Sequence, residues 1–223
     1  MIEAVIFDLD GVLTDTAVYH YQSWKAIAAK FNYDLTEEDN EKLKGVSRAD
    51  SLTLILKWAT ARDEKSYLLW DASISNSQIS DLLIEKNEHY LKLINELSEK
   101  DILPGVIDFL ELLSQNNCAL AVGSSSKNAR FILDKLGLTS KFSAIIDGNG
   151  VKNTKPDPEV FLNAAAELKV NPKNCLVIED APSGIKAAKA AGMKVIGIGK
   201  DSLEADCCLP NLEGITWSQI QDI

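Results

Sequence analysis

No apolar run in this chain approaches the roughly 20 residues that a membrane-spanning helix needs. No basic segment precedes an apolar stretch at Met1-Ile2-Glu3-Ala4, so a secretory signal is not expected. Positive charge is scarce. With 23 Lys and Arg against 33 Asp and Glu, the net charge is -10. That argues against the basic face on which nucleic acid or an anionic membrane would bind. Paired cysteines are missing too: Cys118, Cys175, Cys207 and Cys208 form no Cys-x-x-Cys motif. Reduced thiols in a cytoplasm are the simplest reading. There is no internal repeat and no low-complexity segment, and a monomer is the expectation.

What is present is enough apolar material for a sizeable core, 46% of 223 residues. That length exceeds a typical domain of roughly 150 residues, so one large domain or a core with a smaller one is expected. Five continuous apolar runs read as strands: Ala4 to Phe7, Ala119 to Val122, Ala144 to Ile146, Leu176 to Ile178 and Val195 to Ile198. Continuous runs suit parallel strands covered on both faces. Between the later strands lie helical stripes: Ile132, Leu133 and Leu136 ended by Gly137, then Phe161, Ala164, Ala165 and Leu168. A third runs from Ser183 to Ala191 and is ended by Gly192. This alternation predicts an α/β fold with a doubly wound, Rossmann-like parallel sheet over residues 1–15 and 98–223. Residues 16–97 show helical spacing only, as in Trp24, Ile27, Ala28 and Phe31, then Leu52, Ile55, Leu56 and Ala59. Ile79, Leu83, Tyr90, Leu93 and Leu97 follow on one face. An inserted all-helical cap domain is predicted there, with Leu103-Pro104-Gly105 marking the return to the core.

The chemistry stands at the strand ends. The first strand runs into Asp8-Leu9-Asp10-Gly11-Val12 and the second into Ser124-Ser125-Ser126-Lys127-Asn128. Lys155-Pro156 follows the third after a loop, and Glu179-Asp180 closes the fourth. Ligands of open parallel sheets bind beyond the carboxyl ends of the strands, so these groups converge. They suit magnesium-assisted phosphoryl transfer, because Mg²⁺ takes oxygen ligands from one or two carboxylates plus substrate phosphate. Asp8 and Asp180 would supply side-chain oxygens and Asp10 its carbonyl. Asp8 is the candidate nucleophile. Lys155 would neutralise charge, Ser124 would hydrogen-bond a phosphoryl oxygen, and Asp10 would exchange a proton with the leaving group.

Each signal taken singly has a plainer reading. A strand-end Asp often caps a helix or forms a turn, the serines could cap the next helix, and Lys155-Pro156 could be a solvated turn. Glu179 could be a surface charge or a metal neighbour. Four motifs in strand order are what favour the chemical reading. In the helical segment, Lys86 falls on the inward stripe between Leu83 and Tyr90. It either snorkels or meets a substrate oxygen. Arg48, in a glycine-containing loop, is a natural bidentate phosphate ligand.

The four motifs resemble those of the haloacid dehalogenase superfamily across the whole core, and the helical insert resembles its mobile cap. Within it, the similarity runs to the β-phosphoglucomutase family. Leu43-Lys44-Gly45-Val46-Ser47-Arg48-Ala49-Asp50-Ser51-Leu52 resembles its substrate-specificity loop, and His20 with Trp24 and Lys86-Asn87 also match. The resemblance implies interconversion of β-glucose 1-phosphate and glucose 6-phosphate through an aspartyl phosphate and bound β-glucose 1,6-bisphosphate. It implies Mg²⁺ near Asp8, Asp10, Glu179 and Asp180. It also implies that Thr16 and His20 position Asp10 and that Trp24 walls in the sugar. Ser126, Lys127 and Asn128 with Arg48 would hold the distal phosphate, and Lys44, Gly45 and Val46 would help select substrate. Taken singly, Trp24 reads more often as core and His20 as an ordinary histidine. Two departures stand out. Residues 61–78, with Trp70, are longer than the corresponding family segment, and Asp180-Ala181-Pro182-Ser183-Gly184 matches related sugar phosphatases equally well. A Mg²⁺-dependent phosphatase of a small sugar phosphate is therefore the alternative. A non-catalytic binding protein is disfavoured because Asp8, Asp10, Lys155 and Asp180 are all present.

Overall fold

Ala4–Phe7 (β1) is buried at every position, as a strand covered on both faces must be. The computed structural model describes residues 1–43, 46–62, 75–200, 202 and 204–223. The other strands are Ala119–Gly123 (β2), Ala144–Ile146 (β3), Cys175–Glu179 (β4), Lys194–Ile198 (β5) and Cys207–Leu209 (β6). They form one sheet in the order β3-β2-β1-β4-β5-β6, with every neighbouring pair parallel. The order reverses beside β1, whose last residue, Phe7, is in register with Val122 and Ile178. Such a switch point opens a crevice at the strand ends. The sequence reading missed β6. It is three residues long, Cys-Cys-Leu, and only partly buried, so it lacks the Val or Ile that marks each of the other five strands.

The helices are Ala17–Ala29 (α1), Glu37–Glu41 (α2), Arg48–Arg62 (α3), Asn76–Ile94 (α4), Val106–Gln115 (α5), Ala129–Lys135 (α6), Glu159–Leu168 (α7), Pro182–Ala190 (α8) and Trp217–Gln221 (α9). The sequence reading also passed over α5, although Val106, Phe109, Leu110 and Leu113 form its buried stripe. Phe161 and Ala164 of α7 and Ile185 and Ala188 of α8 pack against Ile6, Ala121, Val177 and Val195 of the sheet. A fully buried Ile or Phe stabilises the fold by about 1.5–3 kcal/mol.

The chain divides into two compact units, Met1–Asp15 with Leu97–Ile223, and Thr16–Glu96. Leu97 thus falls in the α/β unit, one residue before the expected boundary. The helical unit has its own core of Trp24, Ile27, Tyr33, Leu35, Leu52, Ile55 and Leu56. Its α4 begins with a capping box, in which Ser75 accepts from the Gln78 N–H and the Gln78 side chain returns to the Ser75 backbone. Most of the long 61–78 segment, including Trp70, lies outside the described residues. Within the α/β unit, the outgoing and returning chains are fastened together. Thr14 bridges Ile102, Leu103 N–H donates to the Leu13 carbonyl at 3.0 Å, and Thr14 Oγ1 donates to the Asp101 carbonyl at 2.8 Å. All four cysteines are free. Among the described residues no helix is long and apolar enough to cross a membrane.

Candidate active site

Asp8 N–H donates to the Ile178 carbonyl, so the Asp8 backbone is still held by the sheet as its side chain leaves the strand end. Asp8 is 7% exposed, and its carboxylate accepts from Lys155 Nζ at 2.5 Å. The same ammonium donates to Glu179 Oε1 at 2.7 Å and lies 4.6 Å from the centroid of the Phe161 ring. Glu179 is 1% exposed. Its other oxygen accepts from the Ala181 N–H at 2.7 Å. It is therefore the buried partner of Lys155 rather than a surface charge. The loop that delivers Lys155 is anchored by Glu159, whose two oxygens accept from the N–H groups of Lys152 and Asn153, both at 2.9 Å.

Two glycines make room for these carboxylates. Gly11 has φ +80, and a Cβ built on it would lie 2.1 Å from Asp180 Oδ2. A Cβ on Gly184 would lie 1.6 Å from Glu179 Oε1. Neither contact admits a side chain, so both carboxylates occupy space that only glycine leaves.

The cluster carries more negative than positive charge. Burial, reinforced by Glu179 and Asp10 and opposed by Lys155, pushes Asp8 up to about 7. Burial, then the charges of Asp8, Glu179 and Asp10, pushes Asp180 up to about 8. Burial opposes the charge on Lys155, but Asp8 and Glu179 outweigh it and hold the ammonium protonated. Crowded carboxylates around one lysine fit an added divalent cation. Among the described residues no three His, Cys, Asp or Glu side chains are grouped to hold a metal by themselves. A Mg²⁺ site needs only one or two carboxylates, completed by carbonyl, water and substrate phosphate.

Ser124 begins the second strand-end loop, with its N–H on the Ile146 carbonyl. It is buried and its Oγ accepts from the Ser126 N–H at 3.1 Å. Ser126 Oγ accepts from Asn128 N–H at 3.2 Å. The N-cap of α6 is Asn128, with no side-chain capping bond, so the serines brace their own loop instead of capping the helix. Ser125, Ser126 and Asn128 are partly exposed and Lys127 is exposed. Asp10, also partly exposed, lies in the turn closed by Leu13 N–H on the Leu9 carbonyl.

The helical unit holds a second polar cluster. Lys86 is 1% exposed, which rules out snorkelling. Its Nζ lies 2.8 Å from His20 Nδ1, 4.9 Å from the Trp24 ring centroid and 4.7 Å from that of Tyr90. Tyr90 donates to Thr16 Oγ1 at 3.0 Å. Burial, then Lys86, then Arg48, holds His20 well below the usual histidine range, so the imidazole is neutral. Arg48, the first residue of α3, has its pKa lowered by burial. Trp24 is 4% exposed within the apolar core, as its plainer reading has it, and also lies beside the Lys86 ammonium. Val46 is partly exposed, while Lys44 and Gly45 lie outside the described residues. The sequence reading counted Tyr90 as core alone; an aromatic four residues after Lys86 was the available signal.

Comparison with known proteins places the chain in a family. Residues 5–198 match the haloacid dehalogenase-like hydrolase family. A β-phosphoglucomutase of Bacillus subtilis is 42% identical, over 99% of this chain and 94% of that protein. A phosphorylated carbohydrates phosphatase of Thermotoga maritima is 31% identical, over 91% of each chain. The crystal structure of a β-phosphoglucomutase from Clostridium difficile superposes with a TM-score of 0.89 at 42% identity, covering 100% of this chain and 96% of that one.

Proposed function

The chain belongs to the haloacid dehalogenase-like hydrolase family, and within it we propose that it is a β-phosphoglucomutase. It interconverts β-glucose 1-phosphate and glucose 6-phosphate through a phosphoryl group carried on Asp8. The observation that carries this reading is the second cationic cluster, buried Lys86 with Arg48, in a unit that does not contain Lys155. Hydrolysis of one phosphate needs one cationic centre. A bisphosphate intermediate needs two. Similarity to the B. subtilis mutase over nearly the whole chain supports the same reading.

An Asp8 oxygen attacks phosphorus, and the bond from phosphorus to the donor oxygen breaks. Lys155 offsets the charge gathered at the site, and the Ser124 hydroxyl donates to a phosphoryl oxygen. Asp10 gives its proton to the departing oxygen. In the return step it takes the proton from the attacking sugar hydroxyl as that oxygen bonds to phosphorus. Asp8, Asp180 and the Asp10 carbonyl would hold Mg²⁺, which would supply positive charge against the phosphoryl oxygens when bound. Arg48 and Lys86, with Ser126, Lys127 and Asn128, hold the phosphate that is not being transferred. Thr16 and His20 help position Asp10, Trp24 walls in the sugar, and Lys44, Gly45 and Val46 help select it. Unphosphorylated Asp8 has nothing to donate, so turnover requires priming by β-glucose 1,6-bisphosphate.

The test follows glucose 6-phosphate and free phosphate together in a reaction containing β-glucose 1-phosphate, Mg²⁺ and a trace of the bisphosphate. Glucose 6-phosphate should account for nearly all substrate lost. Free phosphate appearing at the rate of substrate loss means that water is the acceptor and the protein is a sugar phosphatase.

A further inference from the structure

Thr16, His20 and Lys86 share one neighbour. Tyr90 is fully buried, and its ring stacks on the His20 imidazole with centroids 4.1 Å apart and 28° between planes. The Lys86 ammonium lies 4.7 Å from the same ring's centroid, within cation–π range. The phenol donates to Thr16 Oγ1 at 3.0 Å.

The 2.8 Å contact between Lys86 Nζ and His20 Nδ1 fixes a proton. An ammonium has donors and no lone pair, so the imidazole nitrogen must accept. Nδ1 is therefore bare and the ring hydrogen sits on Nε2. Protonating the ring would place two positive charges in contact in a buried site, and burial already disfavours it. One hydrogen bond leaves an imidazole free to tilt about that bond. The Tyr90 face removes the tilt, and the same face holds the ammonium.

We propose that Tyr90 is a positioning residue of the mutase. Its ring fixes the His20 plane and the Lys86 ammonium so that His20 presents Nε2–H as a donor, and its hydroxyl fixes Thr16. This assignment rests on the mutase reading for its role in turnover, but not for its effect on His20.

The experiment records imidazole ¹⁵N resonances of the full chain at neutral pH. His89→Gln leaves His20 as the single histidine, since the sequence has two. His20 should be neutral with its hydrogen on Nε2. Tyr90→Leu should give mixed tautomers and lower kcat/KM for β-glucose 1-phosphate about 100-fold, the scale of a 1 Å misplacement. Phosphorylation of Asp8 by acetyl phosphate should be unchanged, because it uses the α/β unit alone. Tyr90→Phe keeps the ring and should keep the tautomer while recovering most of the lost activity. A native His20 that is imidazolium, or carries its hydrogen on Nδ1, overturns the proposal. So does a folded Tyr90→Leu protein with unchanged tautomer and kcat/KM. If Tyr90→Leu does not fold, the native tautomer and Tyr90→Phe decide, and a changed tautomer with the ring intact contradicts it. If no glucose 6-phosphate forms, the mutase reading fails while the tautomer measurement still decides what Tyr90 does to His20.

Discussion

Lys155 Nζ lies 2.5 Å from Asp8 Oδ1, and both residues are buried. The lysine comes from the loop after β3 and the aspartate from the end of β1. Glu179, at the end of β4, shares the same ammonium. One cation thus ties three chain segments at the switch point.

Removing that cation leaves two buried carboxylates uncompensated. Lys155→Met should destabilise the protein by about 3–5 kcal/mol, the usual cost of breaking a buried pair from one side. Phosphoryl transfer should be lost with it. Urea denaturation measures the first effect and acetyl phosphate consumption the second. A variant as stable as the parent would mean that Lys155 is not the counter-charge of Asp8.

Gly184 tests whether the carboxylate geometry matters apart from charge. A methyl group there would lie 1.6 Å from Glu179 Oε1, so Gly184→Ala must push Glu179 off Lys155. Activity should fall at least about tenfold, with about 1–3 kcal/mol lost to overpacking. Gly192→Ala is the control. Its φ of +74 makes alanine cost about 1–2 kcal/mol, but nothing lies within 4 Å. Stability should drop and kcat should not. Equal kcat losses in both variants would point to general loosening of the fold.

The raised carboxylates give a pH-dependent signature of metal binding. Folding raises Asp8 to about 7 and Asp180 to about 8, above their unfolded values. The folded state therefore binds more protons across that window, and stability from these groups is lost as pH rises through the folded values. A bound divalent cation favours the ionised forms and offsets the loss. The gap between melting temperatures with Mg²⁺ and with EDTA should widen as pH rises from about 5 to about 8. A gap that is constant across that range is incompatible with Mg²⁺ held by Asp8 and Asp180.

Arg48 separates remote binding from transfer. Arg48→Ala removes charge-assisted hydrogen bonds worth about 1.5–3 kcal/mol. The drop in kcat/KM for β-glucose 1-phosphate should therefore be about 10- to 100-fold. Phosphorylation of Asp8 by acetyl phosphate, which has no second phosphate, should change little. Equal losses on both substrates would make Arg48 a residue that supports the fold.

The sheet was legible because its central strands are buried on both faces and read as unbroken apolar runs, and Gly137 and Gly192 marked two helix ends. β6 was not, since its partly exposed Cys-Cys-Leu has none of the Val or Ile that marks the other strands. The α5 stripe of Val106, Phe109, Leu110 and Leu113 was present in the sequence and was passed over. Asp8, Lys155 and Asp180 were legible from position alone, each just beyond a strand or in the loop after one. Glu179 reads with Asp180 as a strand-end pair, a surface charge or a metal neighbour, and only the fold shows its two oxygens engaged by Lys155 and Ala181. The same holds for Tyr90. Periodicity marks it as buried, and its contacts with His20, Lys86 and Thr16 join α1 to α4, which no local pattern encodes.

The central claim is that Asp8 carries the phosphoryl group. The direct measurement treats the protein with acetyl phosphate and Mg²⁺, quenches in acid, digests, and weighs the peptide spanning Asp8. The native protein and Asp10→Asn should both show the mass of one added phosphoryl group on Asp8, and Asp8→Asn should show none. A phosphoryl group on any other residue, or turnover of β-glucose 1-phosphate by folded Asp8→Asn, contradicts the account.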